Sequence, residues 1–436
     1  MIVMKFGGSS VGDAQRITNV CNIVKSRKDP VVVVSAVKGV TDMLINTAEM
    51  AAKGEDVSKE LGDIKERHHK VLKDLELNED LVDSLLDKFG KVIDKIFVMK
   101  RINPELMDEL QSFGERCSSR IVAACLTKEG IPAKAFDAYD IGMITTPDYG
   151  KAEPLPDAEE KIAKAIEKLD VVPVVTGFIG KDSAGNITTL GRGGSDYTAA
   201  IIGAALDSVT EIWTDVNGIM SADPRVVSDA HTISEISFNE ASELAYFGAR
   251  VLHPKTIWPA VKKNLAVKVL NSFEPTDKGT TIVKKVKTKE VVRAIACKKN
   301  ISLVNLSSTR MLLAHGFLAR VFIVFEDYKK SVDMISTTEV SVSLTVDNDK
   351  DLDNIKEDLE GVADVRIEKG KSIICIAGEG MNHVPGVAGR AFSVLGKNDI
   401  NIEMISQGAS EINISFIVDN KDADKTVKVL HTEFFG

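Results

Sequence analysis

Short apolar runs recur along the first 285 positions, each followed by a stretch in which apolar residues return every three to four positions. Ile2–Phe6, Pro30–Ala36, Ala133–Phe136, Val171–Val175 and Glu211–Thr214 are runs of the first kind. The VVVVSA segment is almost without polar interruption, as expected of a parallel strand covered on both faces. Helical spacing fills Asp13 to about Lys28, most of Thr41–Leu126, Ala158–Leu169, Tyr197–Leu206 and Glu240–Phe247. Gly54, Asn78 and the Asn103-Pro104 pair break the longest of these into separate helices. Strands alternating with helices predict an α/β fold with a doubly wound, mostly parallel sheet.

The pattern changes after Pro275 and Gly279, where a lysine-rich stretch, Lys284–Lys289, marks a domain boundary. Beyond it the chain repeats itself. Gly316–Phe322 aligns with Gly386–Phe392 and Val332–Ser336 with Ile402–Ser406, both at an offset of 70 residues, and Ser341–Asp347 aligns with Asn413–Asp419 at 72. Each copy reads as a glycine-led helix followed by two strands, with strand-like alternation in VSVSL and INISF. Neither copy carries a nucleophile or base of its own, which suits sensing or dimerisation.

A chain of 436 residues is long enough for two or three domains, and its 44% apolar and 27% charged residues are ordinary for a globular protein. The net charge of -9 argues against a nucleic-acid partner. Cys21, Cys117, Cys125, Cys297 and Cys375 include no CxxC pair, so reduced thiols packed in a core are expected rather than disulfides or a zinc site. No apolar stretch approaches the ~18 residues of a membrane span, and MIVMKFGG has no signal-like apolar region. A cytoplasmic location is therefore the expectation.

Candidate chemistry gathers in glycine-rich connections. Thr188–Ala200, TTLGRGGSDYTAA, sets Gly191, Gly193 and Gly194 before the helix-start residues Ser195 and Asp196. Backbone N–H groups here could face an anion, and the Arg192 guanidinium suits a carboxylate or phosphate. Taken alone, the same residues also suit an ordinary strand-turn-helix connection. Lys5 precedes Gly7, Gly8, Ser9 and Ser10 in a strand-glycine-helix layout that is neither GxxxxGK[ST] nor GxGxxG. Ser35, Lys38, Gly39 and Thr41 come after the second strand, where parallel sheets meet ligands. Gly114 and Glu115 lie mid-helix in SFGE; a glycine there costs ~1 kcal/mol and fits either a close approach or tolerated packing. Thr214, Asp215 and Arg225 belong to WTDVNGIMSADPR, read as a nucleotide loop or a polar surface loop. His253 has no second His or Cys at metal-ligand spacing and reads as structural.

The order of these motifs resembles that of the aspartate kinases of the amino acid kinase superfamily: KFGGSS, SFGE, TLGRGGSDYTAA, WTDVNGIMSADPR and FGARVLHP, followed by a duplicated tail similar to their paired ACT domains. The resemblance spans nearly the whole chain. It implies a three-layer αβα kinase domain over 1–285, a linker at 286–300 that could supply the first strand of the second ACT domain, and ferredoxin-like βαββαβ ACT domains at 301–371 (effector-binding) and 372–436. It implies phosphoryl transfer from MgATP to the side-chain carboxylate of L-aspartate. Lys5, Gly7, Gly8 and Asp196 would be catalytic; Ser35, Thr41, Glu115 and Arg192 would bind the substrate. Ser9, Thr214, Asp215, Arg225, Arg250 and Val251 would bind ATP. Mg²⁺ would be held through ATP oxygens and water, with no protein ligand assigned. The first ACT copy is most similar to the lysine-inhibited monofunctional class, which implies an effector site at Met311, Phe317, Leu318, Val332, Asp333, Thr338 and Glu339, with threonine open as the effector. A homodimer or dimer of dimers through the ACT domains is implied as well. Met220 and Arg250 stand where some relatives have tyrosine and lysine, and Ala314 and Thr338 where some have serine.

Two other readings meet the same residues. A kinase for acetylglutamate, glutamate, carbamate or a nucleoside monophosphate would share the large domain but not SFGE with an ACT pair. A silent amino-acid sensor would not require Lys5, Arg192 and Asp196 together.

Overall fold

The computed structural model describes residues 1–247, 254–286, 290–308, 315–381, 384–407 and 412–436. The chain forms two units, Met1–Ile219 with Ser234–Phe238 and Val251–Val286, and Met220–Ile233 with Asn239–Arg250 and Lys287–Gly436.

Strands of the first unit are β1 (Ile2–Phe6), β2 (Pro30–Val34), β3 (Ala133–Phe136), β4 (Val172–Thr176), β5 (Ile179–Lys181), β6 (Ile187–Thr189), β7 (Thr210–Thr214), β8 (Glu235–Ser237), β9 (Val267–Asn271) and β10 (Thr280–Val283). Its helices are α1 (Ala14–Lys25), α2 (Val40–Ala52), α3 (Ser58–Asp74), α4 (Asp83–Met99), α5 (Pro104–Lys128), α6 (Ala158–Ile166) and α7 (Gly194–Ala205); α8 (Phe238–Tyr246) begins there and α9 (Pro254–Lys263) lies within it. Eight strands make one sheet in the order β3-β4-β2-β1-β7-β9-β10-β8, parallel except between β9 and β10. The remaining two, β5 and β6, form a separate hairpin. Central strands are buried on both faces: Val3, Met4, Phe6 and Val31–Val34 are at most 1% exposed, and Lys5 is the polar interruption.

Local chemistry explains the helix starts. Asp13 accepts from the Arg16 amide at 3.0 Å and caps α1, and Asn103 accepts from Leu106 at 2.8 Å ahead of Pro104 in α5. Gly114 proves to be a close approach within the protein: a Cβ there would lie 2.7 Å from Ala36 Cβ, so α5 presses on the connection after β2. The helix read from Tyr197 starts three residues earlier, because Gly193 at φ 72° turns the chain into it and places Asp196 inside its first turn.

The second unit contains β11 (Ala294–Ser307), β12 (Val332–Thr337), β13 (Ser341–Val346), β14 (Asp364–Ala377), β15 (Met404–Ser406) and β16 (Asn413–Asp419), with α10 (Phe317–Asp327), α11 (Leu352–Glu360), α12 (Val387–Lys397) and α13 (Ala423–Phe435). All six strands join one antiparallel sheet, β12-β13-β11-β14-β16-β15. The two 14-residue strands, β11 and β14, run through both sequence repeats. Ser302–Ser307 pairs with β13 in the first copy, while Ala294–Lys299 pairs with Ser372–Ala377 in the second. The first copy therefore runs β-α-β-β-α-β in chain order. The second has that order only when Ala294–Lys299 is counted as its last strand, and the boundary read at 371/372 falls inside β14. Ala222 and Val227, from the segment Met220–Ile233, pack into the second copy's core with Ile295, Phe416, Val427 and Leu430.

Among the described residues, no helix is long and apolar enough to cross a membrane. All five cysteines are free, and all but Cys297 are buried.

Candidate active site

A cavity of about 720 Å³ opens where the carboxyl ends of β1 and β2 meet the first turns of α2 and α7. Seven of the eight residues expected to be catalytic or substrate-binding line it: Lys5, Gly8, Ser35, Thr41, Glu115, Arg192 and Asp196. Both helices enter through a left-handed glycine with no side-chain cap, Gly39 at φ 82° for α2 and Gly193 at φ 72° for α7. Their first-turn N–H groups lack a capping side chain and carry the positive end of the helix dipole, a setting that attracts anions.

Lys5 projects from the central strand β1, and its Nζ lies 2.5 Å from Asp196 Oδ1. The side chains are 12% and 16% exposed, so the pair is only slightly screened. Asp196 gains further from the α7 N-terminus. Small residues allow this approach: a Cβ on Gly177 would lie 2.5 Å from Ser195 Cβ, and one on Gly194 2.6 Å from the Phe178 ring.

The opposite wall is α5. Pro104, Asp108, Gln111 and Glu115, spaced by three or four residues, share the face turned to the cavity. Glu115 is 4% exposed, its Oε2 has no hydrogen-bond partner among the described residues, and burial pushes its carboxyl up to about 8, opposed by the Ala36 amide and Lys5. A buried carboxyl with a free oxygen facing a cavity suits a cationic ligand. Ser118 on the same helix donates to the Ser35 carbonyl at 2.6 Å and pins the loop after β2. Arg192 is exposed at the cavity wall, with no ion-pair partner among the described residues.

The remaining expectations divide. The Gly7 amide, expected to face a phosphoryl group, instead donates to the Trp213 carbonyl at 3.3 Å, because strand pairing between β1 and β7 continues one residue further. That leaves Gly8, where a Cβ would lie 3.0 Å from the Ala36 carbonyl. Ser9 is outside the cavity lining, its carbonyl accepting from Arg16 at 2.9 Å. Thr214 ends β7 and its hydroxyl donates to Asp215, the next residue, at 3.2 Å; they lie beside the Gly7–Ser10 loop, as Ser10 bonds Ser272 at 2.8 Å and Ser272 donates to the Thr214 carbonyl. Arg225 belongs to the second unit, exposed and bonded to Asp223 at 2.6 Å. Arg250, Val251 and Met311, with His253 and Ala314, lie outside the described residues.

The effector set separates into two ends of the first repeat. Phe317 and Leu318 open α10, whose other end leads to β12, and Thr338 and Glu339 form the β12–β13 turn. Val332 and Asp333 start β12, opposite Val346 and Ser302. Five residues of strand put Asp333 roughly 16 Å from the turn. Asp333 is nearly buried, with its side chain 2% exposed, and already holds Lys298 at 2.8 Å and the Tyr246 hydroxyl at 2.9 Å. Burial pushes its carboxyl up to about 6, aided by neighbouring Asp347 and opposed by Lys298.

Asp108, Gln111, Tyr149 and Gly150 also line the cavity, although the sequence reading does not single them out. Asp108 and Gln111 stand seven and four residues before Glu115, a helical spacing that could have found them. Tyr149 and Gly150 sit in an irregular loop without periodicity.

The cavity fits a phosphate-bearing ligand through Lys5, the Gly8 backbone and two helix N-termini. Among the described residues, no group of three or more His, Cys, Asp or Glu side chains is placed to hold a metal ion.

Comparison with known proteins agrees over the full length. Residues 1–271 match the amino acid kinase family and 374–434 match the ACT domain. Lysine-sensitive aspartokinase 3 of Escherichia coli is 37% identical over 453 residues, covering 100% of this chain and 99% of that protein. Chloroplastic aspartokinase 1 of Arabidopsis thaliana is 40% identical over 455 residues, covering 99% and 80%. The crystal structure of E. coli aspartokinase III with aspartate and ADP in the R-state superposes with a TM-score of 0.84 at 35% identity, covering 100% of both chains. Its T-state complex with lysine and aspartate gives 0.85.

Proposed function

This chain belongs to the aspartokinases of the amino acid kinase family, and on that premise we propose that it transfers the γ-phosphate of MgATP to the β-carboxylate of L-aspartate, giving 4-phospho-L-aspartate and ADP. The observation that carries this reading is the buried Glu115 carboxyl, one oxygen of which has no partner among the described residues, in the same cavity as Arg192 and the Lys5–Asp196 pair. An α-amino acid complements that set. Its ammonium goes to Glu115, its α-carboxylate to Arg192, and its side chain is left to face Lys5. Ser35 and Thr41 supply further polar contacts.

A carboxylate is already ionised at pH 7, so no general base is required. The task is to bring two anions together and to stabilise charge on the moving phosphoryl group. Lys5, the Gly8 amide and the helix N-termini serve that task, and Asp196 holds Lys5 in place. Ser9, Thr214, Asp215, Arg225, Arg250 and Val251 form the proposed nucleotide side, with Mg²⁺ on the phosphates. The acyl phosphate would begin the route to lysine, threonine and methionine.

We assign feedback inhibition by lysine to the second unit. The E. coli relative is named lysine-sensitive and has been crystallised with lysine. In this chain the ε-ammonium of an effector would take the place beside Asp333 now held by Lys298. Because one copy separates Asp333 from Thr338 and Glu339, pairing of two copies through this unit is the arrangement that would use both ends.

ADP release from MgATP is the test, with aspartate, glutamate, acetylglutamate, carbamate and nucleoside monophosphates as acceptors. Turnover is expected to require aspartate and to fall with lysine in the wild type but not in Asp333→Ala. Turnover with another acceptor and none with aspartate would overturn the reading, and unchanged lysine inhibition in Asp333→Ala would overturn the effector placement.

A further inference from the structure

Asp108 lies on the cavity wall, yet both of its oxygens turn to the backbone around it. Oδ2 accepts from the Thr189 amide at 2.7 Å and the Gly150 amide at 2.9 Å, and Oδ1 accepts from the Thr189 hydroxyl at 2.9 Å. The residue is 2% exposed. Three donors thus satisfy a buried carboxylate and join three segments far apart in sequence: α5, the loop at Gly150 and the end of β6.

The junction bears directly on the glycine-rich loop, since Gly191 and Arg192 come two and three residues after Thr189. Gly191 holds φ 78°, and a Cβ there would lie 2.8 Å from the Gly150 carbonyl. The Arg192 loop therefore leans on the residue whose amide Asp108 holds, and the Thr189 carbonyl accepts from Ala152 at 2.9 Å to close the contact. On the helix side, Glu115 lies two turns beyond Asp108, about 10 Å along the same face.

We propose that Asp108 is a positioning residue that sets the spacing between Glu115 and Arg192, and so the fit of the α-ammonium and α-carboxylate of the amino-acid substrate. This rests on the reading that Arg192 holds the α-carboxylate. Asp108 touches neither the nucleotide side nor Lys5, so its loss acts on amino-acid affinity and leaves phosphoryl transfer in place. A misplaced but intact guanidinium keeps part of its attraction, which makes the effect smaller than loss of Arg192 itself.

The experiment is a double-mutant cycle on the full chain, reading kcat and both KM values. Asp108→Asn keeps the size but removes the charge: its carbonyl can still accept from the Thr189 and Gly150 amides, and its NH2 can donate to the Thr189 hydroxyl, so the junction loses only its charge-assisted strength. It is expected to raise the aspartate KM about tenfold, with ATP KM and kcat within about twofold. Thr189→Val, which removes only the hydroxyl bond, is expected to raise it about threefold. Combined with Arg192→Ala, either change should add almost nothing, because it acts through a side chain already absent. A double variant whose KM is the product of the singles, or an Asp108→Asn effect that falls equally on ATP KM or kcat, would overturn the proposal. If Asp108→Asn does not fold, Thr189→Val carries the cycle by the same rule. An unchanged aspartate KM in Arg192→Ala removes the parent reading and this proposal with it. A raised KM there with additive doubles removes this proposal alone.

Discussion

Lys5→Met is expected to lower kcat roughly 10³-fold, about 4 kcal/mol of transition-state stabilisation, with much smaller changes in either KM. The Lys5 ammonium stands in the middle of the sheet, in a cavity fed by two helix N-termini, where a charge is held in place before the reaction and screened little by water. Methionine keeps an unbranched stem one atom shorter and lacks the ammonium, so the loss reports mainly charge rather than shape. The substitution also leaves Asp196 without its cation, a destabilisation of about 1–3 kcal/mol for a pair this little exposed. Adding Asp196→Asn should restore thermal stability while turnover stays low. Steady-state kinetics beside thermal melts of the single and double variants check this. Recovery of activity with stability would mean that Lys5 serves the fold and not the transfer.

Glu115→Gln is expected to raise the aspartate KM roughly 100-fold at pH 8, the loss of a charge-assisted hydrogen bond of about 3 kcal/mol in a buried setting. The pH profile gives the effect a signature. In the free protein burial holds the Glu115 carboxyl near 8, so at pH 7 most molecules carry the neutral form and must lose a proton before pairing with an ammonium. The wild-type aspartate KM should therefore fall as pH rises toward 8, by up to about tenfold per unit, and then level. Glu115→Gln should lack that limb. Stability carries the opposite slope. The unfolded carboxyl releases its proton near 4.5 and the folded one near 8, so the folded state binds the extra proton between them, and wild-type stability declines as pH rises across that window. Melts at pH 6 and pH 8 should show a steeper decline in the wild type than in Glu115→Gln. Equal slopes would place the raised carboxyl elsewhere.

Much of this architecture was legible because burial on both faces leaves a plain record. The VVVV run of β2 and the apolar β1 could only be central strands, and the one charged residue in β1, Lys5, is the one that reaches the cavity. Glycines marked the site for a similar reason, since the positive φ at Gly39, Gly191 and Gly193 and the close approach at Gly114 each exclude a larger residue. Other features left no such record. The edge strand β8 and the hairpin strands β5 and β6 are three residues long, too short to show a period. The polar centre of β14, with Gly370 at φ 73°, reads as a break between domains although the strand passes through it. The place of Asp108 on the cavity face could be read from its spacing before Glu115, but its partners could not: they are two backbone amides, of a loop and a short strand, and the Thr189 hydroxyl, distant in sequence and without a period.

The most direct test of the central claim is to identify the product. Incubating the protein with MgATP and aspartate in the presence of hydroxylamine traps an acyl phosphate as a stable hydroxamate. Aspartate β-hydroxamate formed in step with ADP is the predicted result, and it should vanish in Lys5→Met. ADP release without a hydroxamate, or a hydroxamate at the α-carboxylate, would contradict the assignment of Glu115 and Arg192 to the α-groups and of Lys5 to the reacting end.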